Sequence, residues 1–381
     1  MEIKAPLSVL FFILGVVSAS GQTVGFKGQF SSWITTKPEE SFRSQVGARY
    51  IPELSISKTF HEKYTLDGEF SANIYGYGSI KPNERNTWDG DIRPYRLWLR
   101  FSTSRYEVRA GLQKINFGTA AMLRPLMWFD QIDPRDPLQL TEGVYGLLGR
   151  YYFMNNANIW LWFLYGNSDP KGWEVFPSFS DRPEMGGRIQ VPLLTGELGL
   201  SFNHRVANLQ LLDTIAVPLD KFSAPENKIG IDGRWDVGVG LWFEGSFIQM
   251  DIEIPEQRSK KIINVGMDYT FGIGNGLNVM GEHIWFHSSE EFFSSGENLS
   301  FTALLLRYPV GLFDSLTGIF YYDWKNNALY NFINWGMVWD KISLYLIGYW
   351  NPENYELYRS LSDVETLYAG RGIQLQFVFN H

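Results

Sequence analysis

The sequence predicts an all-β fold, a transmembrane antiparallel β-barrel of about 18 strands, with about 16 strands as the alternative. Two patterns predict it. Apolar and polar residues alternate with period two through segment after segment, and long polar connections alternate with tight turns. Composition agrees, because 19% charged residues and a mean hydropathy of −0.16 exclude a bundle of transmembrane helices, which needs repeated apolar runs of about 20 residues.

Composition also narrows the chemistry. The 381 residues include no cysteine and carry a formal net charge of −8. The lack of cysteine excludes disulfides, thiolate metal sites and cysteine nucleophiles. The negative balance argues against nucleic acid as a partner, because proteins that bind it present a basic surface. We expect no cofactor and no metal centre.

The first element in the chain is an export signal. Residues 1–4 are a short charged start, residues 5–17 are apolar, and residues 18–21 are small. This is typical of a cleaved secretory signal peptide covering residues 1–21, with cleavage within residues 18–22. The alternative is an anchor helix, but about 13 apolar residues fall short of the roughly 20 needed to span a bilayer. We expect residues 22–381 to form one barrel domain.

The strands follow in order. In the run that begins near residue 63, Leu66, Phe70 and Ile74 interleave with Asp67 and Glu69, as expected for a strand with two different environments on its faces. Comparable runs begin near residues 24, 43, 63, 93, 105, 144, 157, 185, 196, 227, 239, 260, 276, 299, 315, 328, 341 and 369.

The connections are sorted by position. Odd-numbered connections are mostly long, such as residues 118–143, 167–184 and 351–368, whereas even-numbered ones are mostly tight turns such as residues 103–104. A soluble sandwich has no reason to sort loops in this way, but a membrane barrel has short periplasmic turns and long external loops. An even strand count places both termini in the periplasm. Trp and Tyr near strand ends predict two interfacial belts, with Trp98 and Trp128 as exceptions inside the pore.

One predicted hairpin gathers charge on its polar face. The turn at residues 103–104 places Arg96, Trp98, Arg100, Glu107, Arg109 and Gln113 on the same side, opposite the apolar Leu97 and Val108 face. In a barrel the polar face is the lumen, because a charge at mid-depth in lipid costs about 2–4 kcal/mol. Arg150 and Arg188 fall on the same register of nearby strands.

The connection at residues 118–143 is expected to fold into the lumen. It is long and contains apolar residues, including Trp128, that would not remain exposed to water. Its acids Asp130, Asp133 and Asp136 would then face the arginines across a narrowed pore. Opposed charges create a transverse field that orients solutes, guanidinium groups bind carboxylate or phosphate, and Trp98 or Trp128 could stack on a sugar. The alternative is that the arginines only pin the loop through salt bridges, and both can hold together.

At this point the chain resembles Gram-negative outer-membrane β-barrels of the porin class. Its closing strand, GIQLQFVFNH, is similar to the C-terminal strand that barrel-assembly machinery reads in that class, although Asn380 and His381 follow the aromatic Phe379. Residues 109–118 and 129–137 also resemble a strand-then-loop pattern of alginate-export-like porins, with Phe117 where Trp is common. The resemblance implies a channel.

Enzymatic alternatives find little support. His283 and His287 are four residues apart, which on a strand separates them by roughly 13 Å, too far to share a metal ion. Ser201 and Asn203 lie on one strand face while His204 lies on the other. We therefore expect neither a metal site nor a hydrolase triad, and no enzymatic activity.

Two functional hypotheses remain. The first is an outer-membrane channel for small polar or anionic solutes, such as sugars or sugar acids. The second is a plugged structural or assembly barrel whose external loops, for example residues 167–184 and 351–368, bind surface polysaccharide or a partner protein. Expected partners are outer-membrane lipid, the barrel-assembly machinery and the solute, with homo-oligomerisation possible.

Overall fold

A computed structural model describes residues 22–38, 43–80, 85–210, 222–352 and 368–381, so the signal peptide predicted for residues 1–21 lies outside the described residues. The described chain is built from strands β1 Gln22–Lys37, β2 Arg43–Phe60, β3 Tyr64–Ile80, β4 Thr87–Ser102, β5 Tyr106–Gln113, β6 Val144–Tyr152, β7 Asn158–Leu164, β8 Glu184–Leu193, β9 Gly196–Asn208, β10 Ser223–Asp236, β11 Gly240–Met250, β12 Ser259–Phe271, β13 Leu277–Ser289, β14 Gly296–Pro309, β15 Asp314–Asp323, β16 Ala328–Val338, β17 Ile342–Trp350 and β18 Arg371–Asn380.

These strands close into a barrel. Each pairs antiparallel with its neighbour in sequence, and β1 closes the ring on β18 from Gln29–Asn380 to Thr36–Ile373. The predicted 18-stranded antiparallel barrel is therefore confirmed. In the described ranges, helix is assigned to the 3-10 turn Pro255–Gln257 and to Gln210, the last residue before a gap. Among the described residues no helix is long and apolar enough to cross a bilayer.

The barrel has two different rims. Residues 61–63, 103–105, 153–157, 194–195, 237–239, 272–276, 310–313 and 339–341 connect the strands at the short-turn rim. Residues 114–143 and 165–183 are the longest connections described completely, and they belong to the opposite, long-loop rim. Gln22 and His381 both belong to the short-turn rim, where His381 exchanges two backbone hydrogen bonds with Gly28.

The two faces of each strand differ as the alternation predicts. On β9, Leu200 and Phe202 are exposed on the outer face, while Ser201, Asn203 and Arg205 are buried on the inner face. Exposed Leu, Ile, Val and Phe recur on the outer face around the barrel. A soluble protein would not leave so large an apolar surface in water, so this outer face fits a lipid environment.

A β-bulge in β4 changes which residues face inward. The register of β3 with β4 shifts between Ser71 and Ala72, opposite Pro94 and Tyr95. Proline cannot donate to the β-ladder, and inside a sheet it is tolerated at such bulges. Arg96 and Arg100 therefore face inward on one side of the bulge, and Arg93 faces inward on the other.

The distribution of tryptophan departs from the expectation of two belts with two exceptions. Trp98 and Trp128 do lie inside the barrel. Trp33, Trp160, Trp162 and Trp242 also project from inner-face positions, and Trp162 and Trp242 are each 3% exposed. The physical reason is that inward loops give the barrel an apolar interior, which these rings help to fill.

The closing strand packs through its last residue. The His381 ring stacks on Tyr50 at 6.0 Å and on Phe379 at 6.0 Å, and lies 5.7 Å from Phe26. Its Nε2 is 3.0 Å from the Tyr50 hydroxyl. His381 thus joins β18, β1 and β2 with the ring contacts that an aromatic residue would make at this position.

Gly111 offers a direct test of the hairpin β4–β5. Its φ is +119°, and a Cβ would lie 2.1 Å from the Leu97 carbonyl oxygen. Gly111→Ala should therefore destabilise the barrel, by about 1–3 kcal/mol from backbone strain alone, and this would appear as a lower urea midpoint in micelles. Gly149→Ala is the matched control, because its Cβ would meet nothing within 4 Å. Equal midpoints for the two variants would contradict the described geometry.

Candidate functional site: the barrel interior

A cluster of arginines covers the inner face of β4 to β6, and we call Arg100, Arg109 and Arg150 the arginine wall. Arg100 and Arg109 are cross-strand neighbours. Arg100 donates from Nε and Nη2 to the two carboxylate oxygens of Asp67, each at 2.8 Å. This bidentate pair fixes the first guanidinium in place.

A single carboxylate serves all three guanidinium groups of the wall. Glu107 lies 3.0 Å from Arg150, 3.5 Å from Arg100 and 3.9 Å from Arg109. With Asp67 included, three cations share two anions. The side chains of Arg100, Arg109 and Arg150 are 30%, 15% and 17% exposed, so the excess positive charge is partly open to the interior.

Aromatic rings orient these guanidinium groups. Arg109 and Arg100 lie 4.6 and 5.9 Å from the centre of the Trp98 ring, and Arg150 lies 3.7 Å from the centre of the Trp160 ring. Such contacts leave the edge of a guanidinium free to bind a planar anion. The Nε atoms of Arg109 and Arg150 are themselves buried and have no hydrogen-bond partner within the described ranges.

Sequence reasoning missed two further inward arginines. Arg49 on β2 lies between Trp33 and Tyr75, at 5.7 and 5.6 Å from their ring centres, and Arg93 on β4 lies 3.7 Å from Glu142. Arg49 was missed because Gly47 and the buried Ile51 lie on the same face of β2, so apolar and polar residues do not alternate clearly there. Arg93 was hidden by the bulge, for which Pro94 was the available signal.

The other predicted site residues on β4, β5 and β8 bond to groups outside the arginine wall or to backbone. Arg96 is buried and donates to the carbonyl of Thr141 at 2.8 Å, which ties down the end of residues 114–143. Gln113 donates to the carbonyls of Arg109 and Gly146. Arg188 is 3% exposed and forms a bidentate pair with Asp232 at 2.5 and 2.8 Å, so its charge is neutralised away from the wall.

Residues 114–143, which we call the first inward loop, contact strands far around the barrel. Glu244 on β11 accepts hydrogen bonds from the backbone N–H groups of Thr119, Ala120 and Leu126 at 2.8, 2.9 and 2.5 Å. Glu282 on β13 accepts from the N–H groups of residues 121, 122 and 123 at 2.7, 3.1 and 2.6 Å. These two carboxylates thus satisfy six backbone donors of an irregular segment.

Apolar packing holds the same loop from both sides. Met122 and Leu123 are 1% exposed and join a cluster with inner-face side chains of β11 to β17, including Ile262 and Tyr321. Phe117, Leu126, Trp128 and Phe129 pack instead on β6 and β7. Trp128 also donates to Ser246 at 2.9 Å. Its ring is only 2% exposed, so it is not available to stack on a sugar as predicted.

The acids of the first inward loop do not all face the arginine wall, and this corrects the expectation. Asp130 is 2% exposed and pairs with Arg124 of the same loop at 2.8 Å. Asp133 pairs with Arg135, two residues on, at 2.7 Å. The expectation failed because the loop supplies its own cations, which satisfy these carboxylates at shorter chain distance.

The later part of the loop comes closer to arginines of the barrel. Burial raises the pKa of Asp136, while N–H groups of Leu138 and Leu140 and the charge of Arg49 act in the opposite direction. Burial also raises the pKa of Glu142, against the nearby charge of Arg93. The loop acids that do face inward arginines are therefore Asp136, near Arg49, and Glu142, near Arg93, and not Asp130.

Residues 165–183, which we call the second inward loop, are also drawn into the barrel. Six buried charges fix this loop. Lys171 and Glu174 belong to the loop, Glu184 begins β8, and Arg205, Glu226 and Lys228 lie on β9 and β10. Burial alone would raise the pKa of Glu174, but the three cations hold it well below its usual range. The plugged-barrel hypothesis took residues 167–184 as an external binding loop, and the buried ion pairs contradict that.

The two inward loops pack on each other. Trp173 donates to the Arg124 carbonyl at 2.7 Å, and Gln131 donates to the Pro170 carbonyl at 2.8 Å. A side chain at Gly172 would collide with the carbonyl of Met127, so only glycine permits this approach. Arg135 of the first inward loop also reaches the opposite side of the barrel, where it lies 5.2 Å from the ring of Phe332 on β16 and 5.1 Å from the ring of Tyr368.

The histidines are placed as their strand positions predict. His283 contacts the Thr302 hydroxyl, and His287 contacts the Asn298 side chain. Ser201 and Asn203 are buried inside the barrel, whereas His204 contacts Asn227 on the outer face. Within the described ranges, no group of three or more His, Asp or Glu side chains is arranged to hold a metal ion.

Comparisons with known proteins agree with the fold. No protein-family model matches the chain, and no curated protein matches it in sequence. The structure is similar to OmpT, an outer membrane protein of Vibrio cholerae described in a trimer form (10% identity, TM-score 0.53), across 95% of this chain and 100% of that one. It is similar to OccK7 of Pseudomonas aeruginosa (9%, 0.55; 95% and 99% covered) and OccAB1 of Acinetobacter baumannii (12%, 0.54; 95% and 96% covered).

The carboxylate clamp on the first inward loop can be tested directly. Glu244→Gln keeps the shape of the side chain but removes the charge that three N–H groups share, and hydrogen bonds to a charged group contribute about 1.5–3 kcal/mol each. We expect faster proteolysis within residues 114–143 in the folded barrel. Glu297→Gln is the control, since Glu297 is 76% exposed and pairs with the exposed Lys325. Equal cleavage of the two variants would contradict the clamp.

Proposed function

We propose that this protein is an outer-membrane channel through which small anionic or polar solutes diffuse along the arginine wall. The single observation that carries the proposal is that three guanidinium groups share two carboxylates and remain partly exposed inside a closed barrel. The apolar outer face supports placement in a membrane. Export by a cleaved signal peptide over residues 1–21, periplasmic termini and insertion by barrel-assembly machinery belong to the same proposal.

The arrangement of the wall favours anions over neutral sugars. The Trp98 ring is engaged by Arg100 and Arg109, and the Trp160 ring is covered by Arg150 at 3.7 Å. These rings are thus less available to stack on a sugar, whereas the arginines of the wall offer N–H groups on side chains that remain 30%, 15% and 17% exposed. A carboxylate or phosphate would accept these N–H groups. Sugar acids, which the likeness to alginate-export-like porins also suggests, are one class that fits.

Ion selectivity in planar bilayers tests the wall. In a KCl gradient the intact protein should give discrete conductance steps with an anion-shifted reversal potential. Arg109→Gln with Arg150→Gln should move that potential toward cations. One charge at about 7 Å in a water-like medium is worth about 0.6 kcal/mol, or about a threefold change in local ion concentration. The measurement is the reversal potential.

A control variant and two contrary outcomes complete this test of ion selectivity. Arg105→Ala removes an exposed arginine from the short-turn rim, outside the wall, and should leave the reversal potential unchanged. An unchanged potential in the double variant would overturn the role of the wall. A folded barrel that gives no conductance steps would instead favour a plugged structural barrel, for which the two packed inward loops would be the basis.

A further inference from the structure

The short-turn rim carries an unexpected row of exposed apolar tips. Six of its eight turns place one large apolar side chain at the tip. Met154, Leu194, Val237, Ile273, Leu312 and Trp339 are 84%, 91%, 62%, 58%, 96% and 44% exposed. Turns at a barrel rim in water favour Gly, Asn, Asp and Ser, and nothing in the turn geometry requires a large apolar residue at these tips.

The six tips form an arc from β6 to β17, and the remaining two turns differ in chemistry. Residues 61–63 are His61, Glu62 and Lys63, and residues 103–105 are Thr103, Ser104 and Arg105. The polar turns are therefore adjacent on the rim, between β2 and β5, and the apolar tips occupy the other two-thirds of the circumference.

The height of the rim changes at β1, on one side of the polar turns. On their other side the turns at residues 103–105 and 153–157 are level, since Tyr106 pairs with Tyr151. Pairing of β18 with β1 ends at Gln29, and His381 contacts Gly28, but β1 continues along β2 from Gly28 to Gln22. Residues 22–27 thus project past the end of β18, by about 20 Å along the strand at 3.3 Å per residue. The polar turn at residues 61–63 belongs to this projecting part.

The apolar tips continue the apolar outer face. Leu193 lies beside Leu194, and Val310 and Phe313 flank Leu312, all of them exposed. Interfacial tryptophans lie at the same edge, where Trp235 donates to the Leu193 carbonyl and Trp335 donates to Asp314. Trp with its N–H bonded to a polar rim is typical of the boundary between lipid and water.

We infer that the arc of turns between β6 and β17 inserts into the bilayer surface as a lipid anchor, while the two polar turns at residues 61–63 and 103–105 stand in water. This rests on the proposed membrane placement. A single protein partner fits the arc less well, because it would have to follow the rim over twelve strands. Lipid contacts every outward position at once.

Single-cysteine labelling tests the anchor cleanly, because the chain has no native cysteine. Nitroxide labels are placed at Leu194→Cys and Leu312→Cys on the arc, and at Glu62→Cys and Ser104→Cys on the polar turns. Leu200→Cys, on the outer face of β9 and 55% exposed, marks the lipid-facing belt. The purified barrels are reconstituted in phosphatidylcholine vesicles with a water-soluble nickel complex on both sides.

The anchor predicts that labels at residues 194 and 312 lose collisions with the nickel complex and gain collisions with oxygen, relative to residues 62 and 104. They should approach the values for residue 200. If residue 200 is in lipid but residues 194 and 312 are as accessible to nickel as residue 104, the anchor is overturned while the membrane placement stands. If residue 200 is itself accessible to nickel, both are overturned. Only purified protein and lipid are present, so protection cannot come from a protein partner.

Discussion

The interior of this barrel depends on two buried carboxylates that bind backbone. A segment without regular structure that enters a barrel brings unpaired N–H groups, and each one left unsatisfied in a dry interior would cost about 1–3 kcal/mol. Glu244 and Glu282 accept six such groups from residues 119–126. Because these acceptors lie on β11 and β13, the loop that leaves β5 crosses the interior and is held against strands on the opposite side of the barrel.

The packing of both inward loops follows from that placement. With residues 119–126 fixed, Met122 and Leu123 fill the apolar inner face of β11 to β17, and Trp128 and Phe129 cover β6 and β7. The second inward loop then packs on the first through Trp173 and Gln131. The inner face of β2 to β5, by contrast, keeps partly exposed charges, and together with Arg150 on β6 this is the side on which the arginine wall lies.

The sequence was sufficient for features that depend on local pattern, and insufficient for those that depend on distant partners. Strand positions followed from period-two alternation, and the neighbourhood of Arg100, Arg109 and Glu107 followed from one hairpin. The role of Glu244 could not be foreseen from the sequence. A carboxylate on the inner face is expected to line the pore, and nothing local shows that a distant loop will donate to it. The ion pair of Asp130 with Arg124 depended on how the loop folds on itself, and Arg93 depended on a bulge.

The barrel pairs its buried charges in two ways, and the contrast supports the proposal that solutes pass the arginine wall rather than the buried ion pairs around Glu174. Arg205 and Lys228 are fully buried, and each contacts both Glu174 and Glu226, since an unpaired charge in that position would be prohibitively costly. Arg109 and Arg150 have one shared carboxylate and an Nε without a partner in the described ranges. Those Nε atoms are themselves buried, but the two side chains are 15% and 17% exposed. Water or a solute anion can therefore complete the pairing of their outer N–H groups, which favours a solvated path beside these two residues.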